Sequence, residues 1–161
     1  MAKMTFKGLK EYELKLSKLE ADTKKICGKA IYAGAGTVAD SVKSAINSLP
    51  VSKNEHGNSD HMLDGITATQ KKGLIDGFGI SPLEDDSGYY NVKLGFDGYN
   101  STKTKKYPKG QPNILIARAV TSGTSFRKKN PAIRKAVSQA KNPAESTMGE
   151  VLDQEIKSIM K

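Results

Sequence analysis

One apolar stripe constrains this chain more than any other feature. Cys27, Ile31, Gly34, Ala35, Val38, Val42, Ala45 and Leu49 recur at intervals of mostly three or four residues, the spacing that lines one face of an α-helix. It predicts a helix over about 22–48. Upstream, Phe6, Leu9, Tyr12, Leu16 and Leu19 predict a separate amphipathic helix over 6–20. Ala33-Gly34-Ala35-Gly36 is poor in side-chain bulk. Each glycine inside a helix costs on the order of 1 kcal/mol relative to alanine, so either another backbone comes close there or two helices meet. Asn47-Ser48-Leu49-Pro50 ends the segment, because proline disfavours helical conformation at the residue before it.

A second long stripe closes the chain. Ile133, Ala136, Val137, Ala140, Ala144, Met148, Val151, Leu152, Ile156 and Ile159 hold a helical period to the end. Asn130-Pro131 starts it, with asparagine as cap and proline at the first helical position. Pro143 removes one backbone hydrogen bond and crowds the preceding turn, which predicts a kink or two helices there. Asn113 is the expected cap of a shorter helix over 114–122, and Gly123 its stop. A short helix is expected over 63–73.

The one clear β signal lies between these helices. Leu74 to Leu83 carries Ile75, Phe78 and Ile80. Tyr90, Val92, Leu94 and Phe96 alternate strictly with polar or small residues, and Glu84-Asp85-Asp86-Ser87-Gly88 between the two runs reads as a turn. This is a β-hairpin pattern. An isolated hairpin is marginal in water, so it must pack on the helices or join strands of other subunits. The whole is expected to be one domain over 1–161, with a mobile loop near 51–62 and a basic loop near 98–112.

Charge narrows the function classes. The chain carries 26 Lys and Arg against 17 Asp and Glu, a net of +9. The distribution is uneven: residues 99–141 hold 11 basic side chains and no acid, whereas 50–98 hold 4 basic and 8 acidic ones. Lys103, Lys105, Lys106 and Lys109 surround Tyr107. Arg127, Lys128, Lys129 and Arg134 surround the start of the last helix, where backbone amides leave room for an anion or an acidic segment of a neighbouring subunit. Lysines beside a tyrosine suit phosphates and bases, and opposite charge blocks suit a head-to-tail contact between copies. No apolar run approaches the length of a transmembrane helix. The N-terminal residues lack the apolar core of a signal peptide, so secretion by that route is not expected. The single Cys27 excludes an internal disulfide and fits a reducing compartment.

Nothing in the pattern argues for an enzyme. Glu55, His56, Asp60 and His61 cluster in sequence, but in a loop without the support a dedicated metal site needs. Gly73, Gly77 and Gly79 match no phosphate-binding spacing. Neither catalytic residues nor a cofactor nor a metal is expected.

Three stretches together resemble a known family. Phe6-Lys7-Gly8-Leu9-Lys10-Glu11-Tyr12 with Leu16 and Leu19, the helix holding Ala33-Gly34-Ala35 and Val38, and Ser122-Gly123-Thr124 followed by Asn130-Pro131-Ala132-Ile133-Arg134-Lys135-Ala136 are similar, in order and spacing, to the small head–tail connection proteins of long-tailed bacteriophages and prophages. The chain departs from that pattern at Thr121-Ser122, where the family often has an acid, and at Ala132, where it often has phenylalanine. The resemblance implies an α+β fold, with a small antiparallel sheet built around a β-hairpin and packed against a long N-terminal and a C-terminal helix. It also implies a structural virion protein of the neck or tail-completion type, made in the host cytoplasm. The expected assembly is a homo-oligomeric ring, a hexamer, between the connector or head-completion protein and the tail tube or terminator. Lys103, Lys105, Lys106, Tyr107 and Lys109 would then line the DNA channel or dock on a neighbour, and Arg127, Lys128, Lys129 and Arg134 would serve an inter-subunit or anion contact. The alternatives are a tail terminator ring and a DNA-binding accessory protein using residues 99–141.

Overall fold

The computed structural model describes residues 8–53 and 57–161. In chain order the elements are α1 (Leu9–Ser48), α2 (Ala68–Asp76), β1 (Phe78–Ile80), β2 (Glu84–Asp86), β3 (Tyr89–Asn91), β4 (Leu94–Phe96), α3 (Asn113–Ser122) and α4 (Ala132–Met160). The fold is α+β.

The two helices expected over 6–20 and 22–48 are one. Residues 20–25, Glu-Ala-Asp-Thr-Lys-Lys, contain no glycine or proline, so nothing interrupts the hydrogen-bond ladder between the two apolar stripes. Phe6 lies outside the described residues. α4 likewise runs unbroken through Pro143, which corrects the expectation of two helices. Thr147 Oγ1 donates to the Pro143 carbonyl at 2.9 Å one turn on.

α1 and α4 lie antiparallel along most of their length. Lys15 Nζ reaches the Lys161 carbonyl at 3.2 Å, Lys29 Nζ pairs with Glu155 Oε1 at 2.7 Å, and Thr37 Oγ1 meets Thr147 Oγ1 at 3.4 Å. Many of the buried residues of the two helices are small: Gly28, Ala30, Gly34, Ala35 and Ala39 on α1, and Ala136, Ala140 and Ala144 on α4. Gly34 is where the backbones come close. A β-carbon there would stand 2.5 Å from Met148 Cγ and 3.1 Å from the Ala144 carbonyl oxygen, whereas one on Gly36 would meet nothing within 4 Å. Of the two expectations for the glycine pair, close approach holds at Gly34 and neither applies at Gly36.

The remaining elements pack on the C-terminal half of α1. Val42, Ile46 and Leu49 form a core with Ile66, Leu74 and Phe78, and with Ile116 and Val120 of α3. Fully burying such a side chain stabilises by roughly 1.5–3 kcal/mol. The helix expected over 63–73 is displaced to Ala68–Asp76. Thr67 accepts from the Gln70 amide at 3.1 Å while the Gln70 side chain accepts from the Thr67 amide, a reciprocal cap that fixes the start. Residues 63–66 are instead non-helical, with Leu63 bridged to Arg127 and Ile66 to Val51 on either side of a bend at Gly65 (φ 115°). Leu74 and Ile75, read as the start of a strand, are helical.

The hairpin forms in the expected order but in two pieces. β1 pairs with β4, placing Phe78 opposite Phe96 with ring centroids 4.9 Å apart. β2 pairs with β3 beyond an irregular stretch that contains Pro82. The Ser81 amide to the Lys93 carbonyl (2.8 Å) and the Lys93 amide to Ser81 Oγ (2.8 Å) bridge the gap. The turn is only two residues, Ser87 (φ 55°) and Gly88 (φ 91°). Positive φ at both central positions is the twist-matched hairpin turn, so Glu84, Asp85 and Asp86 belong to a strand and not to the turn.

Candidate functional site

The basic loop is braced internally. The Asn100 amide donates to the Gln111 carbonyl (3.0 Å), the Gln111 amide to the Thr102 carbonyl (3.0 Å), and Thr104 and Tyr107 exchange backbone bonds at 3.2 and 3.0 Å. Asn113, expected as the cap of α3, is its first residue, and Pro112 precedes it as the cap. The Asn113 side chain is buried and donates to the Asp97 carbonyl at 2.7 Å, fastening the loop's two ends together. Asn100 Nδ2 and Asn113 Oδ1 are buried without a hydrogen-bond partner among the described residues.

This bracing sorts the loop's side chains by direction. Lys103, Lys105, Lys106 and Lys109 are exposed, while Thr102, Thr104, Tyr107 and Gln111 are half-buried. Lys106 Nζ sits 5.7 Å from the Tyr107 ring centroid, a weak cation–π contact at an exposed site. All four lysines are thus turned to solvent, while the Tyr107 ring is half-buried.

The second cluster does not stay together. Lys128, Lys129 and Arg134 are exposed around the start of α4, where Asn130 Oδ1 accepts from the Ala132 amide at 3.1 Å. Arg127 is turned inward and is 4% exposed. Its neighbours hold it there: the Leu63 amide donates to the Phe126 carbonyl (2.8 Å) and the Lys128 amide to the Leu63 carbonyl (2.9 Å). These bonds pair Arg127 with Leu63 in an isolated bridge at the end of the Thr124–Arg127 turn, and the Arg127 side chain is buried while that of Lys128 is exposed. Arg127 thus leaves the proposed surface anion site and joins the interior.

The guanidinium is met there by neutral acceptors. Nη1 donates to the Gly65 carbonyl and Nη2 to Gln70 Oε1 at 3.1 Å. Nε is buried, with no hydrogen-bond partner among the described residues. Burial pushes the arginine's pKa below its ordinary value, but a guanidinium remains protonated in proteins. Arg127 lines a cavity of about 120 Å³ together with Gln70, Thr102, Thr104 and Gln111. Sequence reasoning missed this cavity. The available signal was the alternation Thr102-Lys103-Thr104-Lys105, which places threonines and lysines on opposite sides of an extended segment.

Glu84, Asp85 and Asp86 are exposed along β2. Lys93 Nζ pairs with Glu84 Oε2 at 2.7 Å, and Asp85 Oδ1 accepts from the Gly88 amide at 2.9 Å. Of the suggested metal cluster, Glu55 and His56 lie outside the described residues. Asp60 and His61 follow an Asn58 turn, where Asn58 Oδ1 accepts from both of their amides. Among the described residues no three His, Cys, Asp or Glu side chains are grouped to hold a metal ion, and no helix is long and apolar enough to cross a membrane. In comparisons with known proteins, no family model, curated protein or solved structure matches this chain.

Proposed function

We propose that this chain is a structural subunit of the head–tail joint of a long-tailed bacteriophage or prophage, acting as a neck or tail-completion protein in an oligomeric ring. The observation that carries the reading is the separation of opposite charges onto two exposed elements. Glu84, Asp85 and Asp86 stand on the hairpin, and Lys103, Lys105, Lys106 and Lys109 on the 98–112 loop, with Lys128, Lys129 and Arg134 nearby in sequence. A ring joins two different patches of each subunit to one another, and complementary charge on those patches steers association and fixes register. The resemblance of Phe6–Tyr12, the Ala33-Gly34-Ala35 helix and Ser122–Ala136 to the head–tail connection proteins supports the same reading. In this role the exposed lysines face either a neighbouring protein or the DNA in the channel.

The test is quantitative mass spectrometry of purified particles, with the portal protein as internal standard. A copy number equal to a small closed ring is the expected result. Absence of the chain from finished particles would overturn the reading.

A further inference from the structure

A buried, permanently charged guanidinium requires compensation. Moving an ionised group out of water is costly unless opposite charge or a full set of hydrogen bonds replaces the solvent. Among the described residues, Arg127 has two neutral acceptors, the Gly65 carbonyl and Gln70 Oε1, and its Nε has no partner. The side chains lining the adjacent cavity are Gln70, Thr102, Thr104, Gln111, Ile116, Ala119 and Phe126, none of them acidic. Within this chain no carboxylate lies between Asp97 and Glu145. Among the described residues, the wall around this positive charge therefore holds no counter-charge.

The cavity is suited to supply one. At about 120 Å³ it exceeds the room a single water needs. Threonine hydroxyls and a glutamine amide can all donate hydrogen bonds, and donors converging with a cation are the chemistry of an anion site. Thr104 Oγ1 accepts from the Tyr107 amide at 3.1 Å, which leaves its proton free to be donated inward. The loop's lysines are exposed on its outer side, so they attract anions without filling the cavity.

We propose that this cavity binds one small anion of carboxylate size, held by Arg127 Nε and by donors from Thr102, Thr104 and Gln111. The site stands on the cavity itself and does not depend on the head–tail reading. Two sources share this chemistry: a free anion, and an acidic side chain of a second copy, for which Glu84, Asp85 and Asp86 are the exposed candidates.

The experiment reads Arg127 directly. The chain has three arginines, Arg118, Arg127 and Arg134. Arg118 and Arg134 are exposed, so Arg118→Lys and Arg134→Lys assign the Nε–H signals in a ¹H–¹⁵N spectrum without altering Arg127. The full-length protein is titrated in a zwitterionic buffer with sodium acetate, sodium chloride and sodium phosphate in turn. The expected result is a saturable shift of the Arg127 Nε–H signal. Thr102→Val keeps the backbone bonds and raises the half-saturating acetate concentration about tenfold, the loss of one hydrogen bond to a charged group. A shift produced by raising protein concentration without added salt, and abolished by Glu84→Gln with Asp85→Asn and Asp86→Asn, assigns the anion to a second copy. A shift produced only by added salt assigns it to a free ion. An Arg127 signal indifferent to both, as a cavity filled by water would give, overturns the proposal.

Discussion

Alanine at Gly34 and alanine at Gly36 are expected to move stability in opposite directions. Both positions lie in the interior of α1, two residues apart, so the gain in helix propensity is the same, about 1 kcal/mol. At Gly36 nothing opposes it, because a new β-carbon has no neighbour within 4 Å. At Gly34 the β-carbon would stand 2.5 Å from Met148 Cγ, 2.7 Å from Met148 Sδ and 3.1 Å from the Ala144 carbonyl oxygen. Met148 can rotate away only by giving up its packing on α1, and the carbonyl is fixed by α4. Overpacking of this kind costs about 1–3 kcal/mol. Gly34→Ala should therefore be net destabilising by up to about 2 kcal/mol, and the two variants should differ by about 1–3 kcal/mol. Urea unfolding of the two variants and the parent, compared by midpoint at constant m-value, measures that difference. In the Gly34→Ala background, Met148→Ala should cost less than it does alone, since it relieves the clash it otherwise would not meet. Equal stabilisation by both alanines would refute the close approach of α1 and α4 at Gly34.

Three further outcomes follow from the same contacts. Arg127→Met should destabilise by about 1–3 kcal/mol, because the buried Gly65 carbonyl loses its donor, whereas Lys128→Met beside it on the surface should stay within about 0.5 kcal/mol; thermal unfolding of the pair decides. Thr67→Ala removes half of the reciprocal cap of α2 and should cost about 1 kcal/mol, read as a lowered urea midpoint. Lys105→Glu with Lys106→Glu should leave the melting temperature close to that of the parent, since both side chains are exposed; on the proposed head–tail reading it should also lower the yield of joined particles in an in vitro head–tail complementation assay, and normal joining would overturn the role proposed for these lysines.

The parts of the fold that could be read from the chain are those where one residue type dictates one local outcome. The helical periods of α1 and α4 and the stop before Pro50 depend on apolar spacing and on proline and were legible, but α4 starts one residue later than expected, at Ala132 with Pro131 as its cap, and Ile26, Ala30, Ala39 and Ile46, outside the expected stripe, are among the buried residues of α1. The hairpin was legible in the alternation from Tyr90 to Phe96, although its first strand was placed too early. Leu74 and Ile75 satisfy a strand pattern and a helix pattern equally. The deciding signal was the Thr67–Gln70 capping pair, which also explains why α2 begins later than the apolar residues Leu63 and Ile66 suggest. Arg127 marks the limit for the site. In sequence it belongs to a run of three cations, and only the bridge between Leu63 and residues 126–128, a pairing across more than 60 residues of chain, turns it inward. No local pattern carries that information.

α1 has one further consequence. At 1.5 Å per residue it is about 60 Å long and α4 about 43 Å, and the contact of Lys15 with Lys161 marks where α4 runs out. Beyond that point Leu9, Tyr12 and Leu14 are 53–71% exposed, and Gly8 offers no side-chain cap. A helical end this short has little stability of its own. The buried residues of α1 begin only at Ile26. One unbroken helix therefore contains two thermodynamic regimes. Its first two turns open by local fraying, and amide hydrogens there exchange with solvent on that account, while those from Ile26 to Ile46 are released only when the core opens.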